Sequence, residues 1–285
     1  MADVDRLYCL YRSAPQVRAS GLSRDDAARV YDDFVQFVAA FATPGSQVLD
    51  VGCGVGWSTA LFAERGYDAT GIDLNPAAFE PPARDRLRLT EGSGTTIPFP
   101  AASFDAAVAY QCLEHVPDPA RMLAEMVRVV RPDGCVCIVG PNLLGLNPYL
   151  QVLTRWVWRN RPRRNILFRS PEMPRHPFGN TLPEVVCGLF VALARTVHKS
   201  VSPHAAFTMR KPDLRPPFHS DNDALYLCNP LDLTRYLRGL GCEILRDVAL
   251  GRSGWTRMLA GGTWVSVRTP SGAGPQAIDP TGERS

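Results

Sequence analysis

No uninterrupted apolar stretch among the 285 residues approaches the roughly 20 needed to cross a bilayer. None of the eight cysteines stands in a C-x-x-C pair, and the five histidines show no H-x-x-x-H or similar spacing, so no metal site or disulfide framework is expected. Cys53, Cys112, Cys135 and Cys137 read as small buried residues of a reduced protein. Residues 1–20 are polar and charged, without a basic start followed by an apolar run, which argues against a signal peptide and predicts a cytoplasmic location. Net charge is only +3, too little for a global electrostatic pull toward nucleic acid. There is no internal repeat.

What the chain does have is alternation. The 45% hydrophobic content suffices for a substantial core. A helical period over 25–41 is followed by strand, helix and strand patterns at 47–53, 57–64 and 67–74, then a helix near 76–84 and a strand at 86–90. Strand 104–110, helix 119–130 and strand 135–139 complete five βα steps. Such a rhythm predicts an α/β, Rossmann-like, doubly wound and mostly parallel seven-stranded sheet with helices on both faces. After residue 142 the rhythm breaks. Residues 143–222 hold ten prolines, with twelve Lys and Arg against four Asp and Glu, a local +8 that leaves −5 on the remainder. Helix 230–240 and strands 243–250 and 263–268 then finish the sheet. The organisation expected is an N-terminal helical cap (1–45), a core (46–142), an inserted helical lid (143–222), the C-terminal part of the core (223–270) and a loose tail (271–285).

The chemistry concentrates at Val48-Leu49-Asp50-Val51-Gly52-Cys53-Gly54-Val55-Gly56, where an apolar strand runs into three alternating glycines ahead of a helix. Lacking a Cβ, such glycines let a ligand lie against the main chain. Asp50 at the strand tip suits a cationic or hydroxylic group, and Asp73, closing the second strand, stands where an acid would meet ribose hydroxyls. The order describes a nucleoside site; as a plain alternative, Asp73 would cap the following helix. No Gly-Lys-Ser/Thr follows, which excludes a Walker loop. A dinucleotide fingerprint wants its third glycine one place later, where Trp57 stands.

The glycine pattern resembles motif I of the class I S-adenosylmethionine-dependent methyltransferases, type 11. Downstream stretches are similar too: Ile97-Pro98-Phe99 with Ser103-Phe104-Asp105, Leu113-Glu114-His115-Val116, and the run from Leu123 to Val130-Arg131-Pro132-Asp133-Gly134. The likeness covers about 46–142 and resumes at 225–267. It implies S-adenosyl-L-methionine as cofactor, with Gly52, Cys53, Gly54 and Gly56 lining its methionyl and ribosyl parts, Asp50 near the amino acid end, and Asp73 with Leu74 at the ribose. Where the family commonly carries an acid for the adenine amino group, this chain has Ser93, with Glu91 two residues earlier. Tyr110 and Gln111 at the tip of strand four flank the cofactor in this reading.

Methyl transfer from a sulfonium needs alignment and exclusion of water more than elaborate catalytic groups. His115 is the first candidate for a general base and also reads as a helix-start residue packing on the cofactor; His219, in Phe218-His219-Ser220-Asp221, is the second. In the insertion, one apolar stripe runs through Tyr149, Leu150, Val152, Leu153, Trp156 and Val157, and another through Val185, Val186, Leu189, Phe190, Leu193 and Val197. Three readings stand open: two helices forming a lid, a peripheral membrane contact over 143–200, or a dimer contact. No recognisable nucleic-acid module or Asn-Pro-Pro-Tyr-like motif is present. The expectation is a biosynthetic enzyme that O-methylates a small-molecule or glycan acceptor. The alternatives are N- or C-methylation of a natural product or lipid-linked substrate, a non-catalytic cofactor-binding scaffold, and an oxidoreductase.

Overall fold

The computed structural model describes Cys9 and residues 24–143, 182–212, 223–247 and 262–272. In chain order these form α1 (Arg24–Ala39), β1 (Gln47–Val51), α2 (Trp57–Glu64), β2 (Asp68–Asp73), β3 (Leu87–Glu91), β4 (Phe104–Tyr110), α3 (Pro119–Val129), β5 (Val130–Pro141), α4 (Leu182–Val201), α5 (Pro230–Gly239), β6 (Glu243–Asp247) and β7 (Gly262–Arg268). The seven strands lie in the order β3-β2-β1-β4-β5-β7-β6. All pairings from β3 across to β5 are parallel, and β7 is antiparallel to both β5 and β6. The order reverses between β1 and β4, and in open parallel sheets ligands bind in the crevice at such a point, beyond the strand ends.

Each face of the sheet carries its own core. On one, Phe34, Val35 and Val38 of α1 and Phe62 of α2 pack on Val48, Ala106, Val108 and Cys137. On the other, Met122, Leu123 and Met126 of α3 and Leu233 and Leu237 of α5 cover Leu49, Ala107, Val136 and Ile138. Central strands buried on both sides account for the nearly continuous apolar runs in β1, β4 and β5. Helix starts follow local chemistry. Asp118 accepts a hydrogen bond from the Arg121 N–H at 2.9 Å and Asn229 from the Asp232 N–H at 3.0 Å, each just ahead of a proline in the first turn.

Two sequence expectations are corrected. The helix anticipated near 76–84 is a single 3₁₀ turn, Pro76–Ala78, after which Phe79 is extended with ψ 122°. Pro81 and Pro82 lack the N–H a helix needs and disfavour the helical conformation in the residue before them. Strand five begins at Val130, five residues before the predicted start, because the chain turns directly out of α3 into the ladder. Asp133 there adopts φ +62°, and Gly134 is so tightly enclosed that a Cβ would stand 2.6 Å from the Asp105 carbonyl oxygen.

Of the insertion, α4 and the segment 202–212 are described; the stripe at 149–157 and both His176 and His219 lie outside the described residues. The tail beyond 272 does too. A buried polar cluster fixes α4 to the core. The Lys199 ammonium pairs with Asp232 of α5 and also donates to the Ala206 carbonyl. Asp232 further accepts from Asn229 at 2.7 Å, the Tyr226 hydroxyl at 3.3 Å and the Ala206 N–H at 3.1 Å. Arg235 donates to the Lys199 and Ser200 carbonyls and so satisfies the end of the helix. Among the described residues, no helix is long and apolar enough to cross a membrane.

Candidate active site

The glycine loop leaves β1 at the reversal of strand order. Gly52, Gly54 and Gly56 all have positive φ, at 72°, 57° and 93°, but the space beside them differs. A Cβ on Gly52 would stand 2.1 Å from Cys112 Sγ, and one on Gly56 would stand 2.7 Å from Leu89 Cδ1. These two glycines permit close packing of the loop on neighbouring elements. Gly54 would meet nothing within 4 Å. Its open side is therefore the face of the loop available to a ligand.

Asp73 ends β2 opposite this loop. Its Oδ2 accepts from the Gly54 N–H at 2.9 Å and its Oδ1 from the Asn75 N–H at 3.2 Å, while the side chain stays partly exposed. The carboxylate both sets the loop and stands beside its open face. Asp50 sits below, with 1% of its surface exposed, and its Oδ2 accepts from the Ser58 and Thr59 hydroxyls at 2.6 and 2.8 Å. It ties the first turn of α2 to β1. Burial pushes this carboxyl up to about 6, against the pull of the two hydroxyls, with Asp73 adding a smaller push in the same direction. Because folding raises this group's affinity for a proton, its contribution to stability is fully present at acid pH and is lost as pH rises toward and through 6. A buried anion under a ligand loop is thus held at a cost at neutral pH.

Around the loop, α1 supplies a wall. Tyr31 meets Tyr110 edge to face at 5.4 Å and Phe34 lies 5.0 Å from the same ring. Burial, with the nearby Asp50 charge, pushes the Tyr31 hydroxyl up to about 12, so it remains a neutral donor. Trp57 donates from its indole to Glu80 Oε2 at 2.6 Å, closing the loop side where a dinucleotide fingerprint would need glycine. Cys53 is buried and Leu74, just past β2, is half-buried. Gln111, just past β4, is exposed and adopts φ +49° with its N–H donated to the Val139 carbonyl at 2.7 Å. Such a conformation in a non-glycine residue carries strain and marks the strand tip as a specialised position. Ser93 directs its hydroxyl into its own turn, 2.9 Å from Thr95 Oγ1 and accepting from the Thr95 N–H at 3.3 Å. The nearby Ile97-Pro98-Phe99 stretch is held by α3, through Glu125 accepting from the Ile97 N–H and Arg128 donating to the Ile97 and Phe99 carbonyls.

His115 lies in the 3₁₀ turn Leu113–His115 that follows β4. Its side chain is 13% exposed and stands between two carboxylates, with Nδ1 3.3 Å from Asp223 Oδ1 and Nε2 3.7 Å from Glu114 Oε1. Sequence reasoning missed Asp223, which is 108 positions away with no local pattern to signal it. The pairing arises because the chain returning from the insertion is hydrogen-bonded beneath the turn, the Leu225 and Tyr226 N–H groups donating to the Glu114 carbonyl at 2.7 and 3.0 Å. A carboxylate at one imidazole nitrogen and a partly exposed ring can orient a proton acceptor. The structure therefore brings Asp50, the glycine loop, Asp73, Leu74, Tyr110, Gln111 and His115 to the strand ends, while His219 lies outside the described residues.

Comparisons with known proteins bear on what this arrangement serves. A family model described as "Methyltransferase domain" matches residues 49–138. An uncharacterized methyltransferase of Mycobacterium sp. (strain JLS) is 33% identical over 176 residues, covering 60% of this chain and 69% of that protein. A demethylmenaquinone methyltransferase of Renibacterium salmoninarum is 32% identical over 126 residues, covering 44% of this chain and 53% of its own. The crystal structure of an S-adenosylmethionine-dependent methyltransferase from Mesorhizobium loti has the same fold, with a TM-score of 0.52 at 17% identity over 86% of this chain and 100% of that one. With the glycine loop at the strand-order reversal and the 3-2-1-4-5-7-6 sheet, these matches establish that the chain belongs to the class I S-adenosylmethionine-dependent methyltransferases, with S-adenosylmethionine as its methyl donor.

Proposed function

We propose that this enzyme O-methylates a small-molecule or glycan hydroxyl and that His115, oriented by Asp223, takes the proton of that hydroxyl. The observation that carries the reading is the 3.3 Å carboxylate–imidazole contact at the end of β4, on the loop side of the sheet. The open face of Gly54 beside the Asp73 carboxylate fits a ribosyl ligand, since a Cβ there would meet nothing within 4 Å. Gly52, Cys53, Gly54 and Gly56 would line that ligand, Asp73 and Leu74 would meet its ribose, and Ser93, Tyr110 and Gln111 would border its base and sugar. Asp50 acts from beneath, holding α2 to the loop and adding a negative field toward the cationic end. When bound, S-adenosylmethionine supplies the methyl group, with the thioether as leaving group.

The chain's own contribution is to hold the acceptor in line, exclude water and move one proton. His115, with Nδ1 3.3 Å from Asp223 Oδ1 and Nε2 3.7 Å from Glu114 Oε1, takes the hydroxyl proton in this reading, and the two carboxylates beside it stabilise the imidazolium so formed. The segment 143–222 serves as the acceptor-binding lid in this reading, and Asp223 follows it directly in the chain. The test is release of S-adenosylhomocysteine over a panel of phenols, sugars and amines. A hydroxyl acceptor is expected; His115→Gln should lower kcat about 10²- to 10⁴-fold without changing affinity for S-adenosylhomocysteine. Asp223→Asn should lower kcat less and displace its pH profile. Turnover confined to amines, or undiminished in His115→Gln, would overturn the proposal.

The loop makes a separate expectation. Gly54→Ala places a methyl in the ligand space and strains the backbone by about 1–2 kcal/mol. S-adenosylhomocysteine binding measured by calorimetry should weaken at least about tenfold while the protein remains folded. Gly52→Ala collides with Cys112 instead and should act on thermal stability, by about 1–3 kcal/mol beyond the backbone strain.

A further inference from the structure

Helix α1 turns one stripe of side chains inward, and one member of that stripe breaks its pattern. Ala27 is 2% exposed, and Phe34, Val35 and Val38 are 0% exposed. Tyr31 lies on the same stripe, four residues after Ala27 and three before Phe34, yet stays only half-buried. The fold therefore leaves room beside this ring, and the room is at the strand ends. Tyr31 meets Tyr110, itself half-buried at the tip of β4, with ring centroids 5.4 Å apart and planes at 76°. Phe34 backs Tyr110 at 5.0 Å. Two rings set at nearly a right angle are the walls of a corner, and a group seated there faces aromatic surface on two sides.

The electrostatics of that corner favour a positive charge. An aromatic face is the negative part of the ring's quadrupole. Burial, and then the charges of Asp50 and Glu80, push the Tyr31 hydroxyl up, while burial with Asp33 and Glu114 does the same for Tyr110. Both rings stay neutral among carboxylates. S-adenosylmethionine differs from its product by one methyl group and one positive charge, and that charge is on sulfur, one carbon beyond the ribose. We propose that Tyr31 and Tyr110 form an aromatic corner for the sulfonium, so that the enzyme binds the charged donor more tightly than the thioether product. The placement rests on the function proposed above: with the ribose at Asp73 beyond β2 and the acceptor proton at His115 beyond β4, the sulfur lies between them, on the side where Tyr110 stands five residues before His115. Methyl transfer removes the charge, and the attraction goes with it. The corner thus acts on the KM for the donor and on product release, not on kcat, because it holds the ground state more strongly than the transition state.

Calorimetric titration of the purified chain with S-adenosylmethionine and with S-adenosylhomocysteine tests the proposal on the parent, Tyr31→Phe and Tyr31→Leu. The parent and Tyr31→Phe, which keeps the aromatic face, should prefer the sulfonium by roughly 3- to 30-fold. Tyr31→Leu should lose most of that preference through weaker binding of S-adenosylmethionine, with the thioether held within about twofold of the parent. A fluorinated phenylalanine in place of Tyr31 keeps the shape of the ring and withdraws its negative face, so it should lose the preference too, without the cavity that leucine leaves. Equal affinity for the two ligands in the parent would overturn the proposal, as would equal weakening of both, or an unchanged preference, in the leucine and fluorinated variants. A parent that binds neither ligand would overturn the cofactor reading beneath it, a failure distinct from the others.

Discussion

Lys199→Met should lower the free energy of unfolding by about 3–5 kcal/mol, the scale expected when one partner of a buried ion pair is removed. The Lys199 side chain is 6% exposed and that of Asp232 is fully buried, so neither charge can turn to water when the other is lost. Asn229, Tyr226 and the Ala206 N–H still donate to Asp232 in the variant, but all three are neutral, and they compensate only part of an anion held in the interior. Adding Asp232→Asn removes that anion and should recover part of the loss. Urea denaturation of the two variants and the parent, with the denaturant slope unchanged, would measure it. A loss below about 1 kcal/mol in Lys199→Met would mean that the pair does not anchor α4 to α5.

Asp73→Ala should weaken S-adenosylhomocysteine binding by about 1.5–3 kcal/mol, roughly 10- to 150-fold, the range for hydrogen bonds to a charged group. Two effects act in the same direction. The ribose hydroxyls lose their acceptor, and the Gly54 N–H loses the oxygen at 2.9 Å that sets the loop. Asp73→Asn retains an acceptor of similar shape and should fall between the parent and the alanine variant, since only the charge is removed. Calorimetric titration reads both variants directly. Unchanged affinity in Asp73→Ala would take this residue out of the cofactor site and leave it a loop-positioning carboxylate.

The parts of this molecule legible in the sequence are those whose cause is local. Strand β1 runs into three glycines because the chain must turn at positive φ beside Cys112 and Leu89, and the pattern appears within nine residues. The βα alternation likewise betrays a sheet buried on both faces. Errors arose where the rhythm of the chain outweighed a local signal: the 76–84 stretch falls where the strand–helix alternation calls for a helix, yet Pro81 and Pro82 stop it after one turn. What could not be read was long-range pairing. Nothing near His115 points to Asp223, and nothing in α4 announces that Lys199 is the buried residue and Phe190 the exposed one. A helical stripe shows that one face differs from the other. It does not say which face meets the protein, because that is decided by a partner such as Asp232, 33 positions away.

The central claim is that the Gly52–Gly56 loop and Asp73 form a site for the nucleoside of S-adenosylmethionine rather than for a dinucleotide. Titration of the purified chain with S-adenosylhomocysteine, with NAD and NADP in parallel, tests it most directly. Micromolar binding of the thioether and no heat from either dinucleotide is the result expected, because the indole of Trp57, tied to Glu80, stands where a pyrophosphate would need a third glycine. Binding of NAD or NADP without binding of the thioether would contradict it.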